Sequence, residues 1–225
     1  MDEDIVESFG AGAPPPGGSM LDDLRDPATG KWLRIAPNAP LGEDLTGKGT
    51  VCAIVDSGLA AEHPTIAARL DEQVDFSGEG IGDRYGHGTT VALIFLAAAP
   101  EARLVDVKVS DARGRSKVSR MIQGLEWIGR RGGIRLVNAS CGAYRPACRA
   151  DCDLCTAARA LVDQGILVVA AAGNRPGLTA CPAKAVISVA ESDPETGSLT
   201  STSSPAGLGG VVVPRMRHRM IPAEE

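Results

Sequence analysis

Short apolar runs alternate along this chain with longer segments whose apolar residues recur every three or four positions. Continuously apolar, β-branched runs are typical of strands buried on both faces of a sheet. Strand and helix patterns in alternation predict an α/β fold with a mostly parallel sheet flanked by helices. The predicted strands are 51–55, 104–109, 135–139, 166–171 and 185–190, and the predicted helices lie near 88–98, 117–130 and 153–164.

Two of the predicted strands end in a polar residue beside a glycine. Asp56, followed by Ser57 and Gly58, closes the first strand, and Asn174 follows Gly173 after the fourth. In an open α/β sheet, ligands bind in the crevice beyond the carboxyl ends of the strands. We therefore expect Asp56 and Asn174 to lie at the edge of the sheet where chemistry takes place.

A histidine, His87, stands between two glycines at the start of the first helical pattern. A carboxylate beside an imidazole can fix its tautomer and stabilise the imidazolium that forms when the ring takes a proton from a nucleophile. Taken alone, Asp56 has the alternative role of a turn or helix-cap residue, and His87 that of a capping residue. Their order and spacing favour an acid–base pair.

Five segments in this order, over roughly residues 45 to 213, resemble those of the subtilisin-like serine proteases, or subtilases. They contain Asp56, His87, residues 107–127, residues 136–142 and residues 168–174. The resemblance implies a three-layer subtilisin-like fold and serine-type endopeptidase activity. It also implies that Asp56 orients the base, His87 is the general base, and Asn174 donates a hydrogen bond to the oxyanion of a tetrahedral intermediate.

The resemblance further implies a peptide or protein substrate, held as an added strand between two extended segments. One predicted edge consists of Gly114, Arg115 and Ser116. The other consists of Ser140, Cys141 and Gly142.

The nucleophile of the resembled family lies in a Gly-Thr-Ser-x-Ala segment that opens a helix, and no such segment follows Asn174. Thr200 to Pro205 imitates it, but Ser201 follows Asn174 by only 27 residues and no apolar helix comes after it. We therefore expect a domain truncated on its C-terminal side and inactive alone. There are two alternatives. A second polypeptide could complete the fold, or the chain could be a catalytically inactive module that binds a peptide or a partner.

Three regions are expected: a flexible leader at 1–40 rich in Pro and Gly, an incomplete peptidase domain at 41–214, and a basic-then-acidic tail at 215–225. Consecutive prolines and glycines at 14–18 favour an unstructured leader, and a short inhibitory arm is the alternative. His63 precedes a proline and is expected to be structural, whereas His218 is expected in a solvated tail.

The cysteines leave several interpretations open. Cys148, Cys152 and Cys155 have the Cys-x3-Cys-x2-Cys spacing of an iron–sulfur motif, although they lie inside the subtilase-like pattern. Together with Cys141 or Cys181 they could bind zinc. The resemblance instead suggests a disulfide between this loop and Cys181, which ranks before free thiols, zinc and a cluster, in that order. No resident cofactor is expected, except that the resemblance allows calcium.

Composition narrows the function classes. The chain has 225 residues, 44% of them hydrophobic and 23% charged, as in a single soluble domain. A net charge of −5 provides no basic surface for nucleic acid, and no apolar stretch is long enough to span a bilayer. The acidic amino terminus does not resemble a secretory signal, so a cytoplasmic location is expected.

Overall fold

The computed structural model describes residues 4–9, 19–36, 45–207, 210–214 and 220–223, which form strands and helices in the following order. The elements are β1 (Ile5–Ser8), β2 (Leu33–Ile35), β3 (Val51–Asp56), α1 (Pro64–Ala67), β4 (Leu70–Asp75), α2 (His87–Ala98), β5 (Arg103–Lys108), β6 (Arg115–Lys117), α3 (Val118–Arg131), β7 (Leu136–Ala139), β8 (Cys141–Gly142), α4 (Asp153–Asp163), β9 (Leu167–Ala171), β10 (Ile187–Ser192), β11 (Val211–Pro214) and β12 (Met220–Pro222). A 3-10 turn at Asp22–Leu24 precedes β2.

A seven-stranded parallel sheet in the order β11-β10-β9-β7-β3-β5-β4 organises the described residues. Strand β3 lies inside the sheet, between β7 and β5. Its neighbours supply hydrogen bonds along both edges, and its residues from Cys52 onward are buried. The carboxyl end of β3, which carries Asp56, is therefore held in a fixed position.

Helices cover the two faces of this sheet, and the alternation of side chains along β3 explains the layers. Ala53 and Val55 pack in a core with α3 and α4, whereas Cys52 and Ile54 pack in a second core with α2. Successive side chains of a strand point to opposite faces, so a wholly apolar strand needs a helix layer on each side. The predicted three-layer α/β architecture is confirmed.

The predicted strands and helices all occur, with bounds that differ by at most two residues. Strand β4 was not predicted because its sequence, Leu-Asp-Glu-Gln-Val-Asp, is largely polar, as an edge strand permits. None of the described helices has the length and apolar character needed to cross a membrane.

Parts of the region expected to be a flexible leader form regular structure. Strand β1 pairs antiparallel with β6 on one side and β8 on the other, and β2 pairs with β12. The expectation of an unstructured leader is therefore wrong for residues 5–8 and 33–35. Residues 10–18, 37–44 and 215–219, with His218, lie outside the described residues, and the predicted domain boundaries stay predictions.

His63, expected to be structural, caps α1. Its Nδ1 accepts a hydrogen bond from the backbone N–H of Thr65 at 3.2 Å, and its Nε2 donates to the carbonyl of Leu33 at 2.8 Å. Burial lowers the pKa of His63 more than the Leu33 carbonyl raises it. The neutral ring thereby fastens the segment before the sheet to the loop after β3.

Two glycines of α3 give a test of how tightly this helix packs on the sheet. A Cβ at Gly124 would lie 2.9 Å from Val107 Cγ1 and 3.1 Å from Val109 Cγ1. We expect Gly124→Ala to lower the free energy of unfolding in urea by about 1–3 kcal/mol, because the buried valines must move.

The control is Gly129→Ala in the same helix, where the nearest atom is the end of the exposed Gln164 side chain, at 3.0 Å. This change should leave stability unchanged or raise it by up to about 1 kcal/mol, through helix propensity. Equal losses in the two variants would contradict close packing of α3 at Gly124.

Candidate active site

A buried carboxylate–imidazole pair lies at the carboxyl end of β3. Nδ1 of His87 is 2.8 Å from Oδ1 and 2.9 Å from Oδ2 of Asp56, and the two residues are 3% and 1% exposed. His87 begins α2, and the next residue must be small, because a Cβ at Gly88 would lie 2.3 Å from the Gly58 carbonyl oxygen. Glycine at 88 thus lets α2 start directly against the end of β3.

A second carboxylate, Asp83, fixes the turn that leads into α2, and the sequence interpretation missed it. Its Oδ1 accepts hydrogen bonds from Ser57 Oγ and from the backbone N–H groups of Tyr85 and Gly86. Its Oδ2 accepts from the backbone N–H and the hydroxyl of Thr89. The signal for this role was the aspartate four residues before the histidine, a spacing that lets one side chain reach the first turn of the helix.

The other ring nitrogen of His87 faces a carbonyl of the same chain. Nε2 lies 2.7 Å from the carbonyl oxygen of Phe9. Since this carbonyl and the Asp56 carboxylate are both acceptors, both ring nitrogens must donate, and the ring is an imidazolium. Burial lowers the pKa of His87, but the charge of Asp56 and the hydrogen bonds to Asp56 and Phe9 together outweigh it, so the pKa is raised.

Phe9 reaches the histidine because β1 lies as a third strand between the two predicted substrate edges. In the first edge, Glu7 pairs with Arg115, Val6 pairs with Ser116, and the Gly114 carbonyl accepts a hydrogen bond from Ser8 N–H at 3.2 Å. The structure therefore places all three residues of that edge along β1.

The second edge borders β1 on its other side. Glu7 pairs with Gly142, Ser8 pairs with Cys141, and the carbonyl of Ser140 accepts from the N–H of Phe9 at 2.7 Å. Residues 5–9 therefore lie in this cleft as an added antiparallel strand, the way a bound peptide pairs with two exposed sheet edges.

The aromatic ring of Phe9 fills a pocket at the end of this cleft. It is 3% exposed, its centroid is 5.4 Å from that of Tyr144, and it packs against Ala180. A Cβ at Gly142 would lie 3.1 Å from the Phe9 ring and 2.4 Å from the Cys181 carbonyl oxygen, so a glycine is required there. Tyr144, which lines the pocket, was not identified from the sequence.

Asn174, the predicted oxyanion donor, is exposed at the turn after β9. Its backbone N–H donates a 2.6 Å hydrogen bond to the Tyr144 hydroxyl, which fixes this turn against the aromatic pocket. The pocket and the Asn174 turn are thus one unit, whereas the oxyanion role itself stays a prediction.

Two arginines bind acidic side chains of residues 4–9, which we call the docked segment. Arg175 Nη2 lies 3.2 Å from Glu7 Oε1, and the same guanidinium stacks on Tyr144, 4.3 Å from the ring centre. Arg145 Nη2 lies 2.8 Å from Asp4 Oδ1. Both cations are on loops that border the cleft, so the cleft carries positive charge where the segment carries acids.

The serine that imitates a nucleophile box lies elsewhere. Ser201 is in an exposed turn, while the next two serines hold the backbone: Ser203 Oγ accepts from Glu191 N–H, and Ser204 Oγ accepts from Arg175 N–H. Among the described residues, the hydrogen-bond partners of His87 are Asp56 and Phe9. The expectation that Ser201 is not the nucleophile stays a prediction.

Comparison with known proteins adds the family. The model of the subtilase family matches residues 47–213, about three quarters of the chain. The chain belongs to the subtilase family. This membership agrees with the resemblance drawn from the Asp56 and His87 segments and makes the chain a subtilisin-like serine peptidase domain.

Individual subtilases are also similar to this chain, over a smaller part of its length. Subtilisin BL from Lederbergia lenta is 34% identical over 150 residues, which cover 63% of this chain and 54% of that protein. The alkaline protease of Alkalihalobacillus alcalophilus is also 34% identical over 150 residues, which cover 38% of it. The chain thus spans about half the length, or less, of these subtilases.

A solved structure supports the fold. The prenylagaramide maturation protease PagA has 22% sequence identity and a TM-score of 0.61, over 74% of this chain and 63% of that one. At this identity the likeness shows a shared fold.

The raised pKa of His87 gives a testable prediction for this subtilase site. Asp56→Asn should lower the pKa of His87 below 6.5, because the main charge that raises it is lost and burial remains. The measurement is NMR titration of the imidazole proton, with Asp83 and Tyr85 as the other ionisable groups nearby.

Because the folded pKa is raised, the Asp56–His87 pair stabilises the fold fully below pH about 6.5, and this contribution is lost as pH rises through the raised value. The stability gap between wild type and Asp56→Asn should therefore narrow toward alkaline pH. As a control, Asp106→Asn removes a buried carboxylate that does not contact His87 and should leave the His87 titration unchanged. An unchanged pKa in Asp56→Asn would contradict the assignment.

Proposed function

We propose that this chain supplies the acid–base pair, the oxyanion donor and the peptide cleft of a serine endopeptidase. The observation that carries the proposal is the 2.7 Å contact between His87 Nε2 and the carbonyl of Phe9, within a strand paired on both sides. A peptide in this pose presents a carbonyl group to the general base and an aromatic side chain to the adjacent pocket. That arrangement suits attack on the bond after an aromatic residue.

In this proposal each polar group has one role. Asp56 holds Nδ1–H of His87, so that Nε2 of the neutral ring is free to take the proton of an attacking serine hydroxyl. The proton then passes to the amine that leaves. Asn174 would donate to the oxyanion, and a serine from outside the described residues, or from another chain, would complete the triad.

The docked segment would inhibit such an enzyme in two ways. It fills the peptide cleft with residues 5–9, and its Phe9 carbonyl accepts a hydrogen bond from Nε2–H, so His87 is held as an imidazolium. An imidazolium cannot act as a base. Substrate binding and base function would therefore both require this segment to leave.

The same contacts suggest a substrate class. The docked segment has an acid at Glu7, two residues before the aromatic Phe9, and another acid at Asp4, facing Arg175 and Arg145 respectively. We propose that the cleft prefers peptides with acidic residues in these positions before an aromatic residue. Arg115, predicted at the substrate edge, is exposed at the start of β6.

Peptide binding is tested with the full chain carrying Val6→Asp and Phe9→Ala, which should release its own segment. A fluorescent peptide with the sequence of residues 4–10 should bind this variant at least about tenfold more tightly than wild type, because the tethered segment competes at an effective concentration of about millimolar. Fluorescence anisotropy measures the affinity.

Two altered peptides serve as matched controls. Alanine in place of Phe9 should weaken binding about 30-fold through loss of the buried ring. Glutamine in place of Glu7 should weaken it less and reduce its dependence on salt. Equal binding by wild type and the released variant, or binding indifferent to the aromatic residue, would contradict the proposed cleft.

Catalysis is tested with a fluorophosphonate probe, which labels activated serines. We expect the 225-residue chain alone to stay unlabelled, and a longer or partnered form to be labelled in a way that His87→Ala abolishes. Labelling of the chain alone that Ser201→Ala removes would instead assign the nucleophile to Ser201. Peptide binding without labelling of any form would favour a catalytically inactive peptide-binding module, for which the strand docked between β6 and β8 is the supporting observation.

A further inference from the structure

Four cysteine side chains converge outside the candidate active site. The Sγ atoms of Cys148, Cys152, Cys155 and Cys181 all lie within 4.8 Å of one another, and those of Cys148 and Cys155 are 3.8 Å apart. The other two cysteines lie elsewhere, Cys52 within β3 and Cys141 in β8 with its thiol toward the Val55 carbonyl. The grouping therefore selects four of the six thiols.

The spacing fits four thiolates around a single ion. Zinc–sulfur bonds of about 2.3 Å in a tetrahedron place the sulfurs about 3.8 Å apart. The Cys148–Cys155 separation equals this edge, and no separation among the four sulfurs exceeds 4.8 Å. In an iron–sulfur cluster the thiolates bind different iron atoms, so their sulfurs lie farther apart than the four sulfurs do here.

The backbone around the four thiols is built to bring them together. Cys152 is the N-cap of α4 and Cys155 lies in its first turn, so their side chains share one end of the helix. Between Cys148 and Cys152 the chain reverses at Ala150, which has a φ of 70°. Such a conformation costs free energy in a residue other than glycine and persists where surrounding contacts require it.

Positive side chains lie close to the thiols. Lys184 Nζ donates hydrogen bonds to the carbonyls of Arg145 at 2.8 Å and Cys148 at 3.0 Å. The guanidinium of Arg145 lies 2.7 Å from Oδ1 of Asp153, the residue after Cys152. Four thiolates around a divalent ion carry a net charge of −2, and the neighbouring ammonium group of Lys184 offsets part of it. Cation placement of this kind supports a thiolate site over four neutral thiols.

We propose that Cys148, Cys152, Cys155 and Cys181 bind one structural zinc ion. Such a site has four protein ligands and no open position, so its role is to hold the fold and not to catalyse. It would tie the loop after Tyr144 to Cys181, whose backbone pairs with Ala143 directly beside β8. The ion would thereby stiffen the edge that borders Phe9 and the aromatic pocket.

The first test uses the full wild-type chain, purified without chelator from zinc-supplemented medium. Elemental analysis should give one zinc per chain, and an organomercurial that displaces the ion should release that zinc as four thiols react. Replacement by cobalt should give the intense visible bands and the sulfur-to-metal charge-transfer absorption of tetrahedral thiolate coordination.

Matched variants then locate the site. Cys155→Ser should lower zinc affinity at least about 100-fold, since even groups that only orient a ligand contribute about 10–100-fold. Cys52→Ala removes a buried cysteine outside the cluster and should keep one zinc per chain. If Cys155→Ser does not fold, the cobalt spectrum and zinc release of the wild type still decide the matter.

Three results would overturn the proposal. One is wild-type protein without metal whose mass is lower by four hydrogen atoms, which indicates two disulfides. Another is metal-free protein with all six thiols freely reactive. The third is stoichiometric iron with visible absorption in place of zinc. The proposal does not depend on the proposed proteolysis, because zinc is measured without any activity.

Discussion

The buried hydrogen bonds between Asp56 and His87 are the interaction on which the candidate active site depends. They join the end of a central strand to the start of a helix on one face of the sheet, and they hold a charge where water is excluded. Such a pair is stable only when its remaining polar atoms are satisfied. Ser57 N–H donates to Asp56 Oδ1, and Asp83 holds the turn before His87.

The docked segment completes this arrangement. Once Phe9 places its carbonyl against Nε2, every polar atom of the imidazole has a partner, and the protonated ring is favoured. The affinity of the cleft for a peptide and the protonation of His87 are therefore coupled. Deprotonation of the ring would remove the hydrogen bond to Phe9, so we expect docking of the segment to weaken as pH rises through the raised pKa of His87.

The aromatic pocket links the cleft to two more distant regions. Tyr144 packs on Phe9, accepts a hydrogen bond from the Asn174 backbone and lies under Arg175. Ala143, the residue after β8, pairs with Cys181, which is one of the four clustered cysteines. A metal at that cluster would act on peptide binding through the rigidity of β8, without contact to the peptide.

The pattern of the sequence alone predicted the α/β class, five strands and three helices, because strand burial and helix periodicity are local signals. The resemblance to the subtilases implied the Asp56–His87 pair and the two cleft edges. The sequence could not determine what fills the cleft. The segment around Phe9 is short and precedes a region rich in proline, and only tertiary pairing with β6 and β8 gives it a structure. The roles of Tyr144, Arg175 and the four cysteines likewise depend on residues brought together over long separations. Spacing along the chain limits which groups are available, whereas the sheet and its loops decide which of them meet.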